Sequence, residues 1–121
     1  MIKEANITLI VADLDRAIRF YTEVLGLTLK YQVPNMWAEV QAPGLTIGLH
    51  PGQTTPRAGE SGMSIGFTVD KLEPAMVQFQ SRGIVFSPRI IEEDPVRLAF
   101  FNDPDKNPLY LCEIQKKANR L

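Results

Sequence analysis

Histidine and cysteine are almost missing from this sequence: its 121 residues contain one of each, His50 and Cys112. An intrachain disulfide needs two thiols, so a disulfide scaffold is excluded, and the lone thiol fits a reducing compartment. One His and one Cys also cannot build the cages that close structural zinc sites. Any nucleophile activated by an imidazole must pass through His50. A basic excess is missing too: 13 Lys+Arg stand against 14 Asp+Glu, for a formal net charge of -1. The electrostatic footprint demanded by phosphate backbones is therefore absent, and no nucleic-acid partner is expected. No apolar run approaches the ~20 residues of a membrane span, and Met1-Ile2-Lys3-Glu4 leads into no signal-like core. A cytoplasmic protein without a membrane partner is the expectation. What is there, 45% hydrophobic and 22% charged residues, fits one soluble globular domain with a core large enough to need no staples.

Ile7, Leu9 and Val11 recur at period two with Asn6 and Thr8 between them, which predicts a strand with one apolar face. Asp13 follows as a helix cap. From Leu14 the apolar positions Ala17, Ile18, Tyr21 and Leu25 keep helical spacing, and Gly26 stands where a left-handed cap ends a helix. Three strand-like runs come next, Leu27–Gln32, Met36–Gln41 and Leu45–His50, broken by Pro34-Asn35 and Ala42-Pro43-Gly44. Residues 51–62 are rich in Pro, Gly and Thr and predict a long loop. Then the pattern restarts. A shift of 58 residues pairs Ile7 with Ile65, Leu9 with Phe67, Val11 with Val69, Leu14 with Leu72, Ala17 with Ala75 and Tyr21 with Phe79, an internal repeat. Asp70 and Glu73 resemble a capping box for the second helix, and Gly83 is its stop. Ile84–Ser87, Val96–Asn102 and Leu109–Ile114 complete the second βαβββ run. The expected architecture is α+β: two tandem βαβββ modules forming a curled, cup-shaped mixed sheet with helices on the outer face. Module one is 1–50 and module two 63–115, with a polar tail at 116–121.

Two stretches, ITLIVADLDRAIRFYTEVLGL at Ile7–Leu27 and FNDPDKNPLYL at Phe101–Leu111, resemble the vicinal oxygen chelate superfamily. That superfamily includes glyoxalase I, extradiol dioxygenases, fosfomycin-resistance enzymes and bleomycin-resistance binding proteins. With the repeat, the resemblance spans nearly the whole chain. It implies a single domain over 1–121 with paired modules curling into an open cup, usually assembled as a homodimer. Catalytic members hold a divalent metal with four side chains, typically His and Glu. Matched through the flanking motifs, the first-strand position, seven residues before Asp13, is Asn6, and its counterpart in the second module is Ser64. The fourth-strand position is Gly48, and the last-strand position, five residues after Asp105, is Tyr110. Glycine has no side chain, Ser and Asn are weak neutral donors, and a tyrosine must first lose a proton with a pKa near 10. The resemblance therefore carries no metal over to this chain; no cofactor and no divalent metal are expected.

Alternation in the third and fourth strands indicates what replaces the metal. For Ala38, Val40, Ile47 and Leu49 to share one face, Gln41 must pair with Thr46, Glu39 with Gly48 and Trp37 with His50. Trp37, Glu39, Gln41, Thr46, Gly48 and His50 then share the other face, expected to be the cup. Glu39 and His50 are the candidate catalytic pair, able to move a proton if they come within hydrogen-bond reach. Trp37, Glu39, His50, Phe101, Tyr110 and Arg97 are the candidate ligand-binding residues: aromatics for stacking, Arg97 for an anionic group. The sequence does not decide which ring of Phe100-Phe101 faces the cup. Cys112, on the face of Tyr110, reads as an inert buried thiol. Asp103-Pro104-Asp105 reads as turn chemistry, and the turn is expected to differ slightly from the family's, which often has Gly where Lys106 stands. The functional expectation is a metal-free member that binds a small aromatic or amphipathic molecule. The alternatives are a lyase, isomerase or dioxygenase using an atypical metal site or Glu39/His50 acid-base chemistry, and an assembly module with no ligand.

Overall fold

The computed structural model describes residue 1, residues 6–52 and residues 63–115. Two compact units emerge: the described residues of 1–56 with Asp103–Lys106, and those of 57–102 with 107–121. The first holds β1 (Ile7–Val11), α1 (Leu14–Arg19), β2 (Thr28–Val33), β3 (Trp37–Ala42) and β4 (Leu45–Pro51). Its sheet runs β1-β4-β3-β2, with β1 parallel to β4 and the other pairs antiparallel. The second holds β5 (Ile65–Thr68), α2 (Leu72–Gln80), β6 (Ile91–Glu93), β7 (Val96–Asn102) and β8 (Pro108–Ile114). Its sheet runs β5-β8-β7-β6, with β5 parallel to β8. Since α1 packs on β3 and β4 and α2 on β7 and β8, each unit is a mixed sheet with a helix on one face, an α+β arrangement. Of the loop expected at 51–62, Pro51 closes β4 and positions from 53 onward lie outside the described residues, as does the tail expected at 116–121.

In the first unit the apolar alternation decides the register. Val11, Ala38, Val40, Ile47 and Leu49 are fully buried, as are Ala17 and Tyr21, and each large aliphatic side chain so placed contributes roughly 1.5–3 kcal/mol. Glu39 pairs with Gly48 and Gln41 with Thr46, as expected. Asp13 caps α1, accepting the Arg16 N–H at 3.0 Å. The helix does not continue uniformly to Leu25: Phe20–Val24 widen into a π-helical turn, closed by Leu25 N–H on the Phe20 carbonyl at 3.0 Å. The Thr22 hydroxyl donates to the Ile18 carbonyl at 2.7 Å, a competition of the kind that bends helices. Gly26, at φ +80°, ends the element as its position predicts.

Asp103–Lys106 is a β-turn, the Lys106 N–H meeting the Asp103 carbonyl at 3.0 Å with Pro104 in the second position. Both aspartates are buried. Asp103 accepts the Tyr21 hydroxyl at 2.7 Å and the Asp105 N–H at 2.8 Å. Oδ1 of Asp105 accepts the Ala12 N–H and the Arg16 guanidinium, each at 2.9 Å. Burial, and then the neighbouring Asp103 charge, push the Tyr21 phenol well above its ordinary pKa. Lys106 has φ +66°, the left-handed region that disfavours a side chain. Here the turn retains the conformation glycine favours although lysine occupies it. Lys106→Gly is expected to stabilise the protein by about 0.5–1 kcal/mol. Scanning calorimetry should show a melting point a few degrees higher; a lower one contradicts the strain assigned to this position.

Two expectations in the second unit are corrected. Ile84–Ser87 is not a strand. Ile84 and Phe86 are buried and Val85 is exposed, which imitates a strand pattern, but the Ile84 N–H turns back onto the Phe79 carbonyl at 3.1 Å, the Ser87 N–H meets the Phe100 carbonyl at 2.7 Å, no ladder forms here among the described residues, and the segment then meets Pro88. The edge strand is Ile91–Glu93 instead. Nor do Asp70 and Glu73 cap α2. Lys71 holds the cap position without a side-chain bond, and the buried Glu113 on β8 accepts the Leu72 N–H at 2.7 Å. Gly83, at φ +97°, closes the turn after the helix as expected.

Candidate functional site

The face of the first sheet away from α1 carries three of the six candidate ligand-binding residues, Trp37, Glu39 and His50. β2 and β3 join through a tight turn with Asn35 at φ +65°, and β3 and β4 through Pro43-Gly44, with Gly44 at φ +83°. These turns fix the register, and a slip of one residue would send every side chain to the opposite face. In the observed register Trp37, Glu39, Gln41, Thr46, Gly48 and His50 share the face as expected, with Thr8 and Ile10 opposite Gly48 and His50 on β1.

The Trp37 indole lies over Gly48. A Cβ at Gly48 would overlap the six-membered ring of Trp37, so the glycine makes the seat and the ring fills it. Nε1 of Trp37 donates to Glu39 Oε2 at 2.9 Å, and the indole and His50 imidazole centroids are 6.2 Å apart at 63°. Gln41 and Thr46 satisfy each other and nearby backbone: Thr46 Oγ1 donates to Gln41 Oε1 at 2.7 Å, while Gln41 Nε2 donates to the Ala42 and Leu45 carbonyls at 2.7 and 3.1 Å. Glu39 thus meets Trp37, and no Glu39–His50 hydrogen bond forms among the described residues. A third aromatic, Tyr31, was missed in the sequence. It sits on β2 opposite Glu39, just past a bulge at Lys30, and is 55% exposed. Ile10, opposite His50, is also exposed. The register that found Trp37 could have found both had β2 been aligned to β3, but the bulge breaks simple alternation.

The second sheet repeats the device. Tyr110 lies over Gly66, where a Cβ would overlap the phenol ring, and packs beside Phe100 at 5.5 Å. The parallel pairs Thr8–Gly48 and Gly66–Tyr110 occupy matching rows of the two modules, but the glycine lies on β4 in the first and on β5 in the second, and the ring over it comes from β3 in the first and from β8 in the second. Phe101 is on the other face, buried against Phe86 at 5.3 Å, so Phe100 and not Phe101 stands with Tyr110. The reason is parity: Phe100 pairs with Tyr110 and Phe101 with Leu109. Arg97 shares the parity of Phe101 and does not stand with Tyr110. Its Nε donates to Glu92 and Nη1 to Glu73, each at 2.9 Å, Nη2 also reaches Glu73, and Nη1 is 3.6 Å from Glu113. Hydrogen bonds from Arg97 hold the Glu73 carboxyl down at about 2. A guanidinium so enclosed is a clasp between α2 and the sheet, contrary to the expected anion-binding role.

The four positions that the resemblance matches to a divalent metal do not fit one. Asn6 and Ser64 are exposed residues just before β1 and β5. Gly48 offers no donor and is covered by an indole, and the Tyr110 ring is laid on Gly66. Such ions favour carboxylates and imidazoles, and the set supplies neither.

Architecture and motif order define the class: the chain belongs to the Glyoxalase/Bleomycin resistance protein/Dioxygenase superfamily, whose model matches residues 5–111. A curated relative, a lactoylglutathione lyase of Schizosaccharomyces pombe, is 28% identical over 145 residues, covering 90% of this chain and 47% of its own. The chain thus spans about half the length of that relative. Among solved structures, the fosfomycin resistance protein FosX from Listeria monocytogenes, complexed with Mn(II) and sulfate, matches with a TM-score of 0.79 at 21% identity, covering 97% of this chain and 94% of its own. A glyoxalase/bleomycin resistance protein/dioxygenase from Nocardioides matches with a TM-score of 0.73 at 18% identity, over 100% and 91%. These likenesses concern the fold. Among the described residues no helix is long and apolar enough to cross a membrane.

Proposed function

We propose that the protein is a metal-independent member of the superfamily that binds a small aromatic or amphipathic molecule on the Trp37 face. The supporting observation is the indole laid over Gly48, with its N–H on Glu39. At a position where catalytic relatives present a metal ligand, this chain presents a flat apolar platform beside a carboxylate. Such a surface favours ring stacking with an oriented polar contact. The proposal includes one domain of two modules, assembly as a homodimer, a cytoplasmic location and no cofactor. Dialysed protein is expected to keep no stoichiometric metal in native mass spectrometry; about one retained equivalent of a divalent ion would overturn the reading.

A second reading has one finding in its favour, the likeness to a lactoylglutathione lyase: an enzyme in which Glu39 and His50 move a proton. Glu39→Gln and His50→Ala separate the two. An enzyme loses turnover of its substrate and retains affinity, whereas a binding protein changes only in affinity.

A further inference from the structure

We infer that the Trp37 face selects a flat organic cation, one carrying its charge in or beside an aromatic ring; the inference rests on the binding reading above. Glu39 is the one carboxylate among the residues that the register places on this face, and the other ionisable side chains there are His50 and the Tyr31 phenol. Lys30, in the bulge, has no opposite partner in the register. One carboxylate oxygen accepts the indole N–H; among the described residues the other accepts no hydrogen bond and Glu39 makes no ion pair. Trp37 is bonded to it, Tyr31 stands opposite it in the register, and the His50 ring lies against that of Trp37.

An anion would need donors, and the strongest candidates are engaged: the indole N–H by Glu39, the Gln41 amide by two carbonyls and the Thr46 hydroxyl by Gln41. A neutral ring could stack but would leave the Glu39 charge to be desolvated without compensation. A cation meets both features at once, because the negative face of an aromatic ring and a carboxylate attract the same sign. Flatness follows from the seat, a ring lying on a sheet and edged by a second ring at 63°.

Trp37 is the sole tryptophan, so emission reports on this face directly. The probes are 1-methylquinolinium, its neutral near-isostere 1-methylnaphthalene and the anion 1-naphthoate, titrated into the full chain with calorimetry as a second readout. The cation is expected to quench saturably and to bind at least tenfold more tightly than the neutral probe, with the anion weakest. In Glu39→Gln, where the amide oxygen still accepts the indole N–H, the preference should fall below threefold while neutral-probe affinity holds. Equal or tighter binding of the neutral probe or the anion to the unmodified protein overturns the cation inference and leaves the binding reading standing. If none of the three binds, the binding reading falls with it.

Discussion

Replacing Tyr21 with alanine is expected to destabilise the protein by roughly 3–5 kcal/mol, as for other buried aromatics, against a total of roughly 5–15 kcal/mol for a domain of ordinary stability. Tyr21 is fully buried and donates to a buried carboxylate of the Asp103–Lys106 turn. Truncation removes packing and a hydrogen-bond donor to that carboxylate together. Tyr21→Phe separates them: it keeps the ring and is expected to lose about 1–3 kcal/mol, the penalty for withdrawing a donor from a buried acceptor. Urea unfolding measures both. The alkaline limb gives an independent check. The folded-state phenol is raised by burial and by Asp103, so above the unfolded value near 10 the unfolded chain releases a proton that the folded one keeps. Stability from this group is therefore complete below pH ~10 and lost as pH rises toward the folded-state value, with a slope near 1.4 kcal/mol per pH unit. Tyr21→Phe should abolish that slope; an unchanged slope would mean that the phenol is not protected as described.

The features legible in the sequence are those fixed by local alternation. Ala38, Val40, Ile47 and Leu49 leave one register open, and it is the one observed, so Trp37, Glu39, Gly48 and His50 fall on one face as expected. Gly26 and Gly83 end their helices because their positive φ angles suit no side chain well. Partners distant in sequence are what local pattern cannot supply. Glu113 lies 41 residues from the N–H it caps, so the nearer Asp70-Glu73 signal misled. Arg97 looked available because Glu73 is 24 residues away on a helix. Phe100 and Phe101 were undecidable for a related reason: their faces depend on the number of residues held in the turn between β7 and β8, and one residue more or fewer would exchange them. The seating of Trp37 on Gly48 lies between these cases. Their shared face was readable, but the direction of the ring along the sheet depends on a rotamer and on the Glu39 hydrogen bond.

The seating of Trp37 gives the second large expected effect. Gly48→Val places a Cβ and two methyl groups where the indole lies, and the ring must leave. Crowding of this kind costs about 1–3 kcal/mol in a packed core, while valine in a strand recovers up to about 1 kcal/mol over glycine. The net loss of stability is thus modest, because Trp37 is only partly buried and has somewhere to go. Binding should suffer far more. With the platform displaced and its N–H withdrawn from Glu39, 1-methylquinolinium affinity is expected to fall at least tenfold, about 1.4 kcal/mol, and the emission of the sole tryptophan to shift to the red. Trp37→Ala combined with Gly48→Val completes a double-mutant cycle. Once the ring is gone the valine has room, so the pair should be more stable than the sum of the single changes predicts, yet it should bind no better than either. Additive stabilities would show that residue 48 and the indole do not share one space, and the platform would then have to be sought elsewhere on the sheet.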